Sequence, residues 1–316
     1  MNTAAGGEAS GVASSAVRER PTLKSEIAAL MQDFSIEKTP GEVASLRSLP
    51  GEVAAGSRVY ITWIPGNDFE RTLRAAVRLR ELGMQPVPHL AARSIASATL
   101  LGDMLGTLHR EAGVDHALLV AGSARTPLGR LDGSLPALAS GLFERCGFRA
   151  LGVAGHPEGS PDIAAETLAL ALHEKNRCAQ GSPLRMHLVT QFCFDGAPVL
   201  AWEKQIRAAG NRLPVHVGLA GLASLPTLVK YARSCGVGAS LGALTRQMGR
   251  MFKLMSAVTP GPLVTALAAA CIGDEHCPIE RLHFYPFGAF DATVACAAAI
   301  ACGDFRLTRE GSDIAV

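Results

Sequence analysis

Residues 186–219, MHLVTQFCFDGAPVLAWEKQIRAAGNRLPVHVGL, decide the reading of the fold. They hold an apolar run, Met186–Gln191, then a helical stretch, Pro198–Ala209, closed by Gly210, then a second apolar run, Val215–Leu219. Neither run alternates strictly between apolar and polar residues. That is the pattern of parallel strands covered on both faces. Two parallel strands joined through a helix make one βαβ unit.

The unit repeats outward in both directions. Further strands are expected at Asp33–Glu37, Arg58–Trp63, Gln85–Leu90, Ala117–Ala121, Arg149–Ala154 and Leu282–Tyr285. Helices are expected at Phe69–Leu82 before Gly83, at Ser97–Glu111 before Gly113, and at Asp162–Cys178 after Pro161. Three more, at about 223–235, 240–256 and 260–272, precede the last strand, and another covers about 290–302. Eight strands, most followed by a helix, predict an α/β fold: a single-domain (β/α)8 TIM barrel with extra helices before its last strand. The rival is a doubly wound open sheet, which a glycine-rich turn after the first strand would favour. Glu37-Lys38-Thr39-Pro40-Gly41 stands there instead, with no G-x-G-x-x-G.

Reactive groups in such a barrel sit at the C-terminal ends of the strands. Those ends carry Glu37, Thr62, His89, Gly122-Ser123, His156, Gln191 and Tyr285. The set has one carboxylate, two histidines and several neutral hydrogen-bonding groups. It lacks the clustered carboxylates or histidines of a catalytic metal site.

Composition narrows the function classes. Of 316 residues, 48% are apolar and 18% charged, enough for a core and against overall disorder. Thirty Lys+Arg against 28 Asp+Glu leave a net charge of +2, which gives no electrostatic case for nucleic acid or an acidic membrane. No run approaches the ~20 apolar residues of a membrane span. Residues 1–20 lack the apolar stretch of a secretory signal and are expected to form a disordered tail before a barrel over 21–316. Eight cysteines without paired spacing do not read as a disulfide scaffold, and Cys271, His276 and Cys277 fall short of a zinc set. A cytoplasmic location is therefore expected.

The strand ends also carry an ordered set of motifs: Pro88-His89-Leu90, Ala154-Gly155-His156-Pro157-Glu158-Gly159-Ser160-Pro161, Thr190-Gln191-Phe192-Cys193-Phe194-Asp195 and His283-Phe284-Tyr285. Together they resemble the methylenetetrahydrofolate reductase family, and Ser35-Ile36-Glu37 with Pro40 looks like that family's first-strand motif. The resemblance runs from about residue 33 to 303. It implies a barrel holding FAD, a folate substrate, NADH or NADPH as a possible electron donor, and a homo-oligomer. The implied reaction interconverts 5,10-methylenetetrahydrofolate and 5-methyltetrahydrofolate.

Residue by residue, the resemblance implies that Glu37 is the acid that protonates N10 of the substrate. A carboxyl that holds a proton near neutrality needs its pKa raised by burial or hydrogen bonding. Gln191, Phe194 and Leu225 would face the folate. Thr62, His89, Ala121, Gly122, Ser123, Ala154, His156, Ser160 and Lys175 would face FAD. Among these, Lys175 would serve as a point charge for the pyrophosphate, and Ser160 would cap the following helix or meet a phosphate.

Three departures stand out. Ala121-Gly122-Ser123 replaces an Arg-Gly-Asp-like tripeptide, so the anion beside the flavin N1/O2 edge is missing and the flavin should be easier to reduce. Lys38-Thr39 stands where two phenylalanines are common. Leu225 falls near a ring-stacking phenylalanine. These changes raise a second reading: a methyltetrahydrofolate oxidase or dehydrogenase of demethylation-linked one-carbon metabolism that uses NADH poorly.

Overall fold

The computed structural model describes residues 21–64, 66, 68–235, 259–308 and 311–316. Its strands are β1 Ser35–Lys38, β2 Arg58–Ile61, β3 Gln85–Ala91, β4 His116–Val120, β5 Ala150–Gly155, β6 Arg185–Cys193, β7 Val215–Ala220 and β8 Ile279–Tyr285. Each pairs in parallel with the next, and β8 pairs with β1 through Ser35↔His283 and Ile36↔Phe284. The sheet is thus the closed (β/α)8 barrel that the repeated βαβ pattern predicts.

Boundaries differ for local reasons. β1 begins at Ser35 and not Asp33, because Asp33 has φ 56, a left-handed conformation that no strand accommodates. The helix after β5 begins at Ala165 and not Asp162, because Ser160 and Ile163 first form a small bridge. An additional helix, Leu23–Met31, precedes β1; Thr22 caps it through a reciprocal bond with Ser25. It buries Ile27, Leu30 and Met31 and packs against the helices Gly261–Cys271 and Phe290–Ala301. Of the extra helices before β8, Leu225–Cys235 and Gly261–Cys271 are described. The expected tail 1–20 and helix 240–256 lie outside the described residues. Among the described residues, no helix is long and apolar enough to cross a membrane. Cys271 and Cys277 are joined as a disulfide in the loop that enters β8.

The main core lies between strands and helices, where branched side chains such as Ile36, Ile61, Leu119, Val153 and Val217 are buried. The barrel interior has a different filling. Tyr60, Val87, Leu118 and Val189 form a small apolar cluster there. Tyr60 is fully buried and contacts His283, His89 and His116 at ring separations of 4.4, 5.9 and 5.8 Å. His187 continues the column, 5.1 Å from His116 and stacked on His216 at 4.1 Å. Room for these rings comes partly from Gly152, where a Cβ would lie 3.1 Å from the His187 ring and 3.0 Å from Leu118.

Candidate active site

Alternation along β1 turns Ser35 and Glu37 to the same face, toward the barrel axis. Glu37 is 7% exposed. His283 Nε2 lies 3.2 Å from Glu37 Oε1, and Thr62 Oγ1 donates to Oε2 at 3.1 Å. His89 Nε2 stands 3.1 Å from Oε1, at ion-pair distance but out of line for a hydrogen bond. On the far side of the imidazole, Ser35 Oγ lies 2.8 Å from His283 Nδ1. An ionised carboxylate only accepts, so His283 carries its proton on Nε2, and Nδ1 accepts from the Ser35 hydroxyl.

This setting corrects the expectation of a raised Glu37 pKa. Burial does push the carboxyl up, but the charges of His89 and His283 and the hydrogen bond from His283 outweigh it and hold the group at about 2. Burial lowers His283 against the pull of Glu37, which keeps the imidazole neutral near pH 7. Lys38 takes no part: its Nζ sits 3.7 Å over the Phe290 ring, outside the barrel.

The β3–β5 side of the mouth is built by one arginine and one buried lysine. Arg93 follows β3 and donates Nε to Ala124 O at 2.7 Å, Nη1 to Asp132 O at 3.3 Å, and Nη2 to Arg125 O. Its own N–H reaches Ala121 O at 2.9 Å. The loop after β4 is thus tied to the end of β3. Gly122 in that loop has φ 88, and a Cβ there would come within 2.8 Å of Ala91 Cβ, so only glycine fits. Ser123 beside it is exposed.

Lys175 is 5% exposed and donates Nζ to Ala154 O at 2.8 Å. Burial lowers its pKa to about 8. His156, just after β5, is pushed down to about 4, first by burial and then by the Lys175 charge. Ser160 is a correction: its hydroxyl accepts from Asp162 N within a local turn, while the helix N-cap is Ala164. It caps no helix.

The β6–β8 side is aromatic. The β6–β7 register shifts between Val189 and Phe192, an irregularity that spans Thr190 and Gln191 near the end of β6. Thr190 holds it: its hydroxyl accepts from Gly218 N at 2.8 Å and donates to Gln191 O at 2.7 Å. Tyr285 donates its hydroxyl to Thr190 O at 2.8 Å. Phe192, Ala220, Ala223 and Leu228 form a buried cluster with Phe194, Tyr285 and Phe287 packed on it. Leu225 opens the helix Leu225–Cys235 after β7, on the same rim.

No protein-family model matches the chain. A solved structure superposes with a TM-score of 0.55 over 85% of this chain and 94% of the other, at 13% identity. It is a Clostridium thermocellum protein described as binding two copies of 5-methyl-5,6,7,8-tetrahydrofolic acid. Methylenetetrahydrofolate reductase 1 of Schizosaccharomyces pombe is 32% identical over 88 residues, which are 28% of this chain and 14% of that protein. The chain is similar to the methylenetetrahydrofolate reductases. In this methylenetetrahydrofolate reductase-like barrel, Glu37, Thr62 and His89 come together as one cluster. Ser35 and His283 complete that cluster and were not singled out as site residues, although Ser35 lies two residues before Glu37, and His283 two before Tyr285, on the same strand faces. Arg93 was also missed; nothing in a loop arginine's sequence context reveals which carbonyls it will reach.

Proposed function

We propose that this chain is an FAD-dependent oxidoreductase that interconverts 5,10-methylenetetrahydrofolate and 5-methyltetrahydrofolate. The observation that carries the reading is Glu37 at the barrel mouth, buried, and held by Thr62, His283 and His89. The mouth also fits the cofactor. Gly122 keeps the loop after β4 close against Ala91 at the end of β3, the strand that carries His89. Lys175 is a buried cation that donates to the Ala154 carbonyl, and its other ammonium hydrogens suit a phosphate. Bound FAD would supply the hydride chemistry.

The chain's own task is the proton. Opening the five-membered ring of methylenetetrahydrofolate needs a proton at N10, and in the reverse direction N10 releases one as the ring closes. Glu37 exchanges that proton. His283 Nε2–H, itself fixed by the Ser35 hydroxyl on Nδ1, donates to the carboxylate and positions it for that exchange. Gln191 offers both an acceptor and donors to the pterin edge.

A second reading, net oxidation of methyltetrahydrofolate, is favoured by the low pKa of Glu37. A carboxylate ionised at neutral pH is ready to accept the N10 proton. Anaerobic mixing of the yellow holoprotein with NADH, NADPH and methyltetrahydrofolate tests both readings. Flavin bleaching by the folate but slowly by NADH supports oxidation; fast, saturable bleaching by NADH supports reduction; a protein without bound flavin overturns the proposal.

A further inference from the structure

We propose that Phe287 and Tyr231 form the flat wall that takes the planar ring of the folate, in place of the stacking ring missing at Leu225. This inference rests on the folate reading of the site and names residues that the motifs did not.

The first argument is position. Inward-facing residues of β8 recur at every second place, so Tyr285 stands directly above His283, with the rings 4.8 Å apart. His283 is the residue bonded to Glu37. Phe287 follows two residues later, 6.1 Å from Tyr285 with the ring planes 19° apart. Tyr231, from the helix Leu225–Cys235, stacks on Phe287 at 4.5 Å and 23°. Three nearly parallel rings therefore climb from the carboxylate cluster to the rim.

The second argument is backbone. Phe287 has φ 47, and among the described non-glycine residues only Asp33 shares a positive φ. A bulky side chain in the left-handed region is an outlier that persists where the surroundings over-determine it. Phe192, 4.9 Å away and edge-on, supports the Phe287 ring from beneath. Tyr231 keeps 38% of its surface exposed.

The third argument is division of labour. The β3–β5 side of the mouth is polar, with His89, His156 and the buried Lys175 ammonium, and suits a phosphate-bearing cofactor. Aromatic surface for a second planar ligand lies on the β6–β8 side. Stacking a flat ring there is a directional contact beyond simple burial.

Titration calorimetry of the holoprotein with 5-methyltetrahydrofolate tests the wall. Phe287→Leu and Tyr231→Leu are each expected to raise Kd about tenfold, while Phe287→Tyr stays within about twofold. Flavin content and spectrum are unchanged in all three. Leucine variants that bind within about twofold of wild type overturn the inference while leaving the folate reading intact. A wild-type protein that binds no folate overturns both together. Should Phe287→Leu fail to fold, judged by its melting curve, Tyr231→Leu at the partly exposed helix position decides alone.

Discussion

His283 donates to Glu37 across the seam where the last strand meets the first, at 3.2 Å. With the charge of His89, that bond holds the Glu37 carboxyl down against burial. Glu37 has a folded pKa of about 2, below its ordinary 4.5, so the stabilisation it contributes is present above about pH 4.5 and is lost as pH falls toward 2. In His283→Ala the hydrogen bond goes and burial remains, so the Glu37 pKa rises. Carboxyl-carbon NMR of glutamate-labelled protein should show that titration moving upward.

Glu37→Gln keeps the shape of the side chain and removes its proton chemistry. Folate turnover should fall by about 10²–10⁴-fold, the usual contribution of a positioned acid or base. The absorbance of bound flavin should persist, because the residues proposed to hold FAD do not include Glu37.

The imidazoles inside the barrel predict acid sensitivity. Burial lowers His116 to about 3 and His156 to about 4, and holds His187 well below its ordinary value. Each is neutral when folded and charges on unfolding below pH 6.5. Stability therefore falls as pH drops from about 6.5 toward these folded values, by about 1.4 kcal/mol per pH unit for each histidine. Urea unfolding at pH 7.5, 6 and 5 measures the slope. His116→Leu should remove about one proton's share of it.

Lys175 carries a stability cost in the absence of an anion. Its pKa of about 8, lowered by burial from 10.5, means that the cost is fully present below pH 8 and is relieved as pH rises toward 10.5. Lys175→Met should therefore stabilise the flavin-free protein at pH 7 by about 1–3 kcal/mol. The same change should weaken FAD binding by about tenfold or more. Denaturant melts of the apoprotein and FAD titration give the two readouts.

Arg93 holds the loop after β4 through carbonyls at Ala124, Arg125 and Asp132. Arg93→Ala should cost about 1.5–3 kcal/mol, the range for hydrogen bonds to a charged group. Limited proteolysis should then cut within residues 121–133 before the rest of the barrel is touched.

The barrel was legible because its strands announce themselves one at a time. Each apolar run and each helix stop is local, and Val215–Leu219 can be read without knowing what it pairs with. The candidate cluster was legible only where a residue stands at its own strand end, as for Glu37, Thr62 and His89. The Ser35–His283–Glu37 contact depends on β1 and β8 meeting across more than 240 residues of chain, a separation of 246 between Glu37 and His283. No periodicity encodes that pairing. The sign of the Glu37 pKa shift was lost for the same reason, since burial and the imidazoles act in opposite directions. Aromatic scarcity hid a similar grouping: Tyr231, Tyr285 and Phe287 stack together from separate elements.

Closure between the first and last strands also sets a timetable. On the ribosome, Glu37 emerges well before His283. Until β8 docks, the carboxyl is an ordinary glutamate, and a nascent chain or a fragment cut before residue 279 carries the reactive group without its tuning. The low pKa of Glu37 therefore appears only when β8 has closed onto β1, which makes that pKa a reporter of a finished barrel.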